Sequence, residues 1–141
     1  MPGALSISAG AIDELLKICL IPSRREQVGL LLGLGRTVVS VTALNNLHKQ
    51  SVVKGFRVAL SEITDRENHA AGAGLEVIGR FHTHPNSPAF PSASDIASLP
   101  SGWVEVIVQV KVLTRSAELG QFYAYEGANI PLGLEFKRKA V

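Results

Sequence analysis

The sequence predicts an α/β fold of the α+β kind: one mixed β-sheet flanked by helices, in one domain spanning residues 1–141. Three observations point there. Val104, Val106, Val108, Val110 and Val112 alternate along one segment, the period of a strand. Ile12, Leu15, Leu16, Cys19 and Leu20 recur at helical spacing. Helical and strand-like stretches interleave without the strict alternation of a doubly wound parallel sheet.

Taken in order, Ser8 is the expected N-cap of the first helix, and Pro22 stops it. Cys19 lies on the apolar stripe and reads as a small core residue. Gln27 to Leu32 and Arg36 to Leu44 form two runs split by Gly33-Leu34-Gly35, the pattern of a hairpin. Phe56 to Leu60 is expected to add a strand. Ser61 to Ala73 reads as a helix capped by Ser61, with a glycine-rich ending at Gly72 and Gly74. Glu76 to His84 is a predicted strand, and Pro85 to Pro91, with its prolines, is loop. Asp95 to Leu99 is a short helical turn ended by Pro100. Trp103 to Val112, Leu119 to Tyr125 and Leu132 to Phe136 complete the sheet.

Composition narrows the function. The hydrophobic share is 46%, the charged share 18% and the formal net charge +2, as in an ordinary globular protein without disorder. Lys137-Arg138-Lys139 is the one basic cluster, read as a solvated tail, so no nucleic-acid partner is expected. The single cysteine rules out an intramolecular disulfide and a cysteine-based zinc site. Residues Met1 to Ala11 lack a basic start and a long apolar run, and the longest apolar stretches are about half the length a membrane span needs. A cytoplasmic protein with no membrane partner is the expectation; oligomeric state is left open.

The chemistry concentrates in Phe81-His82-Thr83-His84-Pro85 and the Ser92-Ala93-Ser94-Asp95 that follows six residues later. On a strand, the period of two turns His82 and His84 to one face and Thr83 to the other. The proline-rich loop then returns a carboxylate, Asp95, at the start of a helix. Two histidines, one carboxylate and a fourth position left for water form the ligand pattern of a catalytic zinc site. Each part has a plainer explanation alone. A histidine can be a satisfied core residue, an aspartate suits a first helical turn, and Ser92 or Ser94 can be an N-cap. A zinc deaminase would need His-x-Glu and Pro-Cys-x-x-Cys elements, and a helical zinc peptidase His-Glu-x-x-His; neither string occurs. The open fourth position argues against a metal-binding regulator without turnover.

His82-x-His84-Pro85, six residues, then Ser92-x-x-Asp95 resembles the signature of the JAMM, or MPN-plus, zinc metallopeptidases. That family places a glutamate upstream in Glu-x-x-Gly, followed by an apolar run and glycine. Glu26-Gln27-Val28-Gly29 and Leu30-Leu31-Leu32-Gly33 match it. The resemblance runs from the first helix to about Tyr125. It implies an MPN-like domain holding Zn2+ through His82, His84 and Asp95. Zinc would lower the pKa of its water to about 7. Glu26 would act as general base and return the proton to the leaving amine, and Ser92 would either donate to the oxyanion or orient the water. Without the motif, Glu26 would read as a surface residue beside Arg24 and Arg25.

Eukaryotic members of the family are isopeptidases acting on ubiquitin-like conjugates. With only a few residues between Leu99 and Trp103, this chain resembles the minimal bacterial and archaeal forms. Those imply a ubiquitin-like or sulfur-carrier protein as substrate, cut after its C-terminal Gly-Gly. The alternative is a non-catalytic MPN scaffold or partner-binding module. His48, His69, Asn45, Asn46 and Trp103 are expected to be structural.

Overall fold

Ser8 starts the first helix as its spacing predicts. In the computed structural model, which describes residues 3–48 and 55–137, its side chain accepts from the Ala11 N–H at 3.1 Å. Helix α1 (Ala9–Cys19) then buries Ala11, Leu15 and Cys19. Strands β2 (Val28–Leu34) and β3 (Thr37–Leu44) form the expected antiparallel hairpin. Its turn is Gly35-Arg36 rather than the earlier Gly33 to Gly35. Gly35 takes φ +58°, where a side chain would be strained.

Helix α2 (Leu60–Gly72), strand β4 (Glu76–Pro85), helix α3 (Ala93–Ser98), and strands β5 (Val104–Val112), β6 (Ala117–Glu126) and β7 (Ile130–Phe136) follow. A strand absent from the expectation, β1 (Ala4–Ile7), precedes α1. It pairs in parallel with both β3 and β7. The sheet therefore closes on itself in the order β1-β3-β2-β4-β5-β6-β7. Four residues carry no strong local signal, so this strand is made by its two partners.

Three further expectations are corrected. Residues 55–59 form no strand, and α2 begins at Leu60. Its N-cap is Ala59, without a side-chain bond, so Ser61 lies inside the helix and caps nothing. Helix α3 begins at Ala93, two residues before the predicted turn, because Ser92 caps it. Of the basic cluster, Lys137 is described and lies 3.4 Å from Glu135, while Arg138 and Lys139 fall outside the described residues. Among the described residues, no helix is long and apolar enough to cross a membrane.

Two buried clusters organise the interior. The larger joins α1 to Val104, Val106, Val108 and Val110 of β5 and Phe81 of β4. The smaller gathers Val28, Leu30 and Leu44, with Phe56, Val58, Ile63 and Trp103 packed against it. Between them runs the central triplet β2-β4-β5, antiparallel then parallel. Its strands approach closely where side chains are missing. A Cβ at Gly29 would lie 2.4 Å from the Phe81 ring, and one at Gly79 would lie 2.2 Å from the Val104 carbonyl oxygen. The glycine of Glu-x-x-Gly is thus a packing requirement of the strand that Glu26 leads into.

Candidate metal centre

Strand β4 turns His82 and His84 to one face, as the period of two requires, and Arg80 shares that face. The parallel crossover from β4 to β5 contains α3, whose capping box sets the direction of Asp95. Ser92 Oγ accepts from the Asp95 N–H at 3.0 Å, and the Ser92 N–H donates to Asp95 Oδ2 at 2.9 Å. Both plain readings of these residues are therefore true. The cap is also what points the carboxylate at the histidines.

The three donor atoms close into a triangle. His82 Nε2 lies 3.0 Å from His84 Nε2, and Asp95 Oδ2 lies 3.3 Å and 3.4 Å from the two nitrogens. Tetrahedral donors at zinc-ligand bond lengths would stand about 3.3 Å apart. Glu26 Oε1 is farther, 3.9 Å from His82 Nε2, though it too lies within 4.8 Å of both imidazole donors. Asp95 thus offers the carboxylate oxygen nearest the two imidazoles, while Glu26, with His82 and His84, also forms a buried group able to hold a metal ion. Glu26 Oε1 is buried and has no hydrogen-bond partner among the described residues.

The outer ring nitrogens decide the tautomers. His82 Nδ1 is 3.0 Å from Glu105 Oε2, and His84 Nδ1 is 2.7 Å from the Pro88 carbonyl oxygen. Both partners accept, so each Nδ1 carries a proton, and each imidazole in its neutral form presents an Nε2 lone pair to the same point. Two lone pairs and a carboxylate converging on one point require a cation or a proton between them.

Glu105 was not anticipated as part of the site. Both faces of β5 are covered there, and Glu105 is 0% exposed. It accepts from Arg80 Nε and from the Tyr125 hydroxyl as well as facing His82. Arg80 continues to the Asp95 carbonyl at 3.0 Å and Ser98 Oγ at 3.1 Å, with its guanidinium 4.9 Å from the Phe56 ring centre. In the sequence Glu105 is one of three polar residues, with Gln109 and Lys111, set between the β5 valines.

The electrostatics agree with the geometry. Burial pulls the His82 imidazole down, but hydrogen bonds and charge from Asp95 and Glu105 raise it to about 9. His84 is raised as well, burial being outweighed by Asp95 and the Pro88 carbonyl. Burial pushes Asp95 up, yet the two imidazoles hold it well below the usual carboxylate range. Glu105 is lowered too, its burial outweighed by His82 and Arg80. Burial, then the Glu105 carboxylate, push the Tyr125 hydroxyl far up. Three buried carboxylates, Glu26, Asp95 and Glu105, face one buried guanidinium, Arg80. That excess of acidic groups favours positive charge between the imidazoles, as protons in the metal-free chain or as a divalent cation that displaces them. The donor set, the lone pairs and the charge all fit such an ion.

A cavity of about 580 Å³ opens beside the triangle, reached by Glu26, His84, Ser92 and Asp95 and walled by Leu30, Leu44, Phe56, Val58, Ile63 and Trp103. Trp103 and His48 border it, whereas His69 sits in the last turn of α2.

Residues 8–120 match the family described as prokaryotic homologs of the JAB domain. No curated protein matches the chain. Among solved structures it is similar to the protein DSY2949 from Desulfitobacterium hafniense, at 22% identity and TM-score 0.72, covering 96% of this chain and 94% of that one. It is also similar to AF2198, a JAB1/MPN domain protein from Archaeoglobus fulgidus, at 18% identity and TM-score 0.59, covering 95% and 100%. A third structure, described as a JAMM metalloprotease-like zinc site in the proteasome and signalosome, is 17% identical with TM-score 0.57, covering 96% and 99%. At such identities these likenesses establish the mixed α/β fold.

Proposed function

Because the chain belongs to the family of prokaryotic homologs of the JAB domain, we propose that it is a zinc-dependent peptidase or isopeptidase with His82, His84 and Asp95 as metal ligands. The observation that supports this most is the triangle of donors 3.0 to 3.4 Å apart, with the unpartnered Glu26 carboxylate beside it. When bound, the ion supplies Lewis-acid activation of water and of the scissile carbonyl at neutral pH.

The chain's own residues do the rest. Glu26 Oε1, kept free of competing bonds, takes a proton from the attacking water and returns it to the amine nitrogen as the C–N bond breaks. Ser92 Oγ accepts from the Asp95 N–H, so its own proton is available to the oxyanion. Glu105 and the Pro88 carbonyl hold the two imidazoles in one tautomer. The products are a carboxylate and a free amine.

The substrate we assign is a ubiquitin-like or sulfur-carrier protein, cleaved after its C-terminal Gly-Gly. A diglycine tail has no side chains, so it threads a narrow approach to the donors and can pair as a strand. The adjoining cavity gives the following residue room. Incubating the zinc-loaded chain with C-terminally extended ubiquitin-like proteins and weighing the products tests this. Cleavage at the diglycine, abolished by Glu26→Gln with zinc retained, is the expected result. Intact extended proteins alongside cleaved general dipeptides would overturn the substrate. A chain that binds no zinc and is indifferent to Glu26→Gln would be the scaffold instead.

A further inference from the structure

Among the described residues the Glu26 carboxylate oxygen Oε1 has no hydrogen-bond partner, and the ordered pairing of β2 begins at Val28, after it. Its direction has to come from the backbone on either side.

Two side chains grip that backbone. Thr83 lies between the two histidines, points to the opposite face and is 1% exposed. Its N–H donates to the Gln27 carbonyl at 2.9 Å, and its Oγ1 accepts from the Gln27 N–H at 2.8 Å. The hydroxyl thereby extends the β2–β4 pairing one residue past Val28–His82, to the residue next to Glu26. On the other side, Asn46 Nδ2 donates to the Glu26 carbonyl at 2.8 Å and to the Gly55 carbonyl at 3.3 Å. Asn46 Oδ1 accepts from the N–H groups of His48 and Arg57, each at 3.1 Å. All four bonding positions of that amide are used.

We infer that Thr83 and Asn46 are positioning residues that clamp the backbone around Glu26 and so aim its carboxylate at the fourth metal position. The inference rests on the peptidase reading for its kinetic consequence. One strand then sets both sides of the chemistry: β4 presents the imidazoles from one face and, through Thr83, registers the base from the other. A threonine suits this position because the clamp needs a hydroxyl acceptor in a buried site. Asn46, expected to be structural, does make a turn bond, to the His48 N–H two residues on, and holds Glu26 as well.

The test compares Thr83→Val, which keeps the shape and removes the acceptor, with Thr83→Ser, which keeps the hydroxyl. Asn46→Asp keeps the acceptor for His48 and Arg57 and loses the donor to Glu26. Each zinc-loaded full chain is assayed for zinc stoichiometry, kcat and KM on a C-terminally extended ubiquitin-like protein, and crystallised. Misplacing a reacting group by about 1 Å costs about a hundredfold. Thr83→Val and Asn46→Asp should lower kcat about 10- to 100-fold with KM and zinc content unchanged, and Thr83→Ser should recover most of the loss. An undiminished kcat in Thr83→Val, or a Thr83→Ser as slow as the valine variant, overturns the clamp. Should the unaltered chain cleave nothing, the peptidase reading fails and the crystal structures decide this inference. A Glu26 carboxylate displaced in Thr83→Val upholds it, and one left in place overturns it.

Discussion

The two faces of the central strands solve opposite problems. Toward α1, β4 and β5 present Phe81, Val104, Val106, Val108 and Val110, all apolar and buried, packed as any core is packed. Toward the cavity the same strands present Arg80, His82, His84 and Glu105, equally buried but charged or ionisable. Burying the first face stabilises the fold through the loss of apolar surface from water. Burying the second is tolerated only because its groups bond one another, through Glu105 to Arg80, Tyr125 and His82. One face holds the sheet together; the other keeps an unbalanced charge for an ion.

If that division is right, substitutions on the two faces should separate cleanly. The largest effect is expected at Glu26→Gln, which keeps shape and zinc but removes the proton acceptor. Turnover should fall about 10²- to 10⁴-fold with metal content unchanged, and parallel loss of zinc would break the assignment. On the apolar side, Leu15→Ala in α1, 1% exposed, should cost about 2–5 kcal/mol in denaturant unfolding. Zinc affinity of its folded fraction should stay as before; a large drop would mean the faces are coupled.

Acidity sharpens the contrast. His82 is raised from 6.5 to about 9, so between those values the folded metal-free protein holds a proton that the unfolded chain has released. The stability from that proton is complete below pH 6.5 and lost as pH rises through about 9. Zinc has to displace the same proton. Its affinity should therefore rise about tenfold per pH unit up to that range in competition titrations. A pH-independent affinity would remove His82 from the ligand set.

Smaller again is Glu105→Gln, which preserves volume while weakening the hold on His82 Nδ1. Zinc affinity should fall about 10- to 100-fold, read by chelator competition. The smallest effect is expected at the first helix. Ser8→Ala removes the α1 cap and should cost about 1 kcal/mol of stability while zinc binding is untouched.

The same division explains what the sequence disclosed. Apolar periodicity is a local signal, so α1 and the valine face of β5 could be read directly. The convergence of His82, His84 and Asp95 could be read because two histidines one pleat apart and a capped aspartate are also local patterns. Glu105 was hidden: a polar residue in an alternating strand reads as solvent-facing until a second layer covers it. Phe56 to Leu60 looked like a strand because its apolar residues could not reveal that they pack under Arg80 and against Leu30 instead of in a ladder. Strand β1 depends wholly on partners more than 30 and 120 residues away, pairing Ser6 with Thr37 and with Glu135. Asn46 could be seen as a turn residue, but its grip on Glu26 exists only once β3 and the start of β2 are adjacent.

That seam between the first and last strands has a bearing on synthesis. The donors and their supports, from Glu26 to Tyr125, lie inside the stretch that the seam joins. As the polypeptide emerges from the ribosome, β1 can lie along β3 early, but its other edge stays bare until β7 appears. Closing a loop of that size is entropically slow. The donor cluster can therefore assemble on an open sheet, and the barrel is sewn shut last.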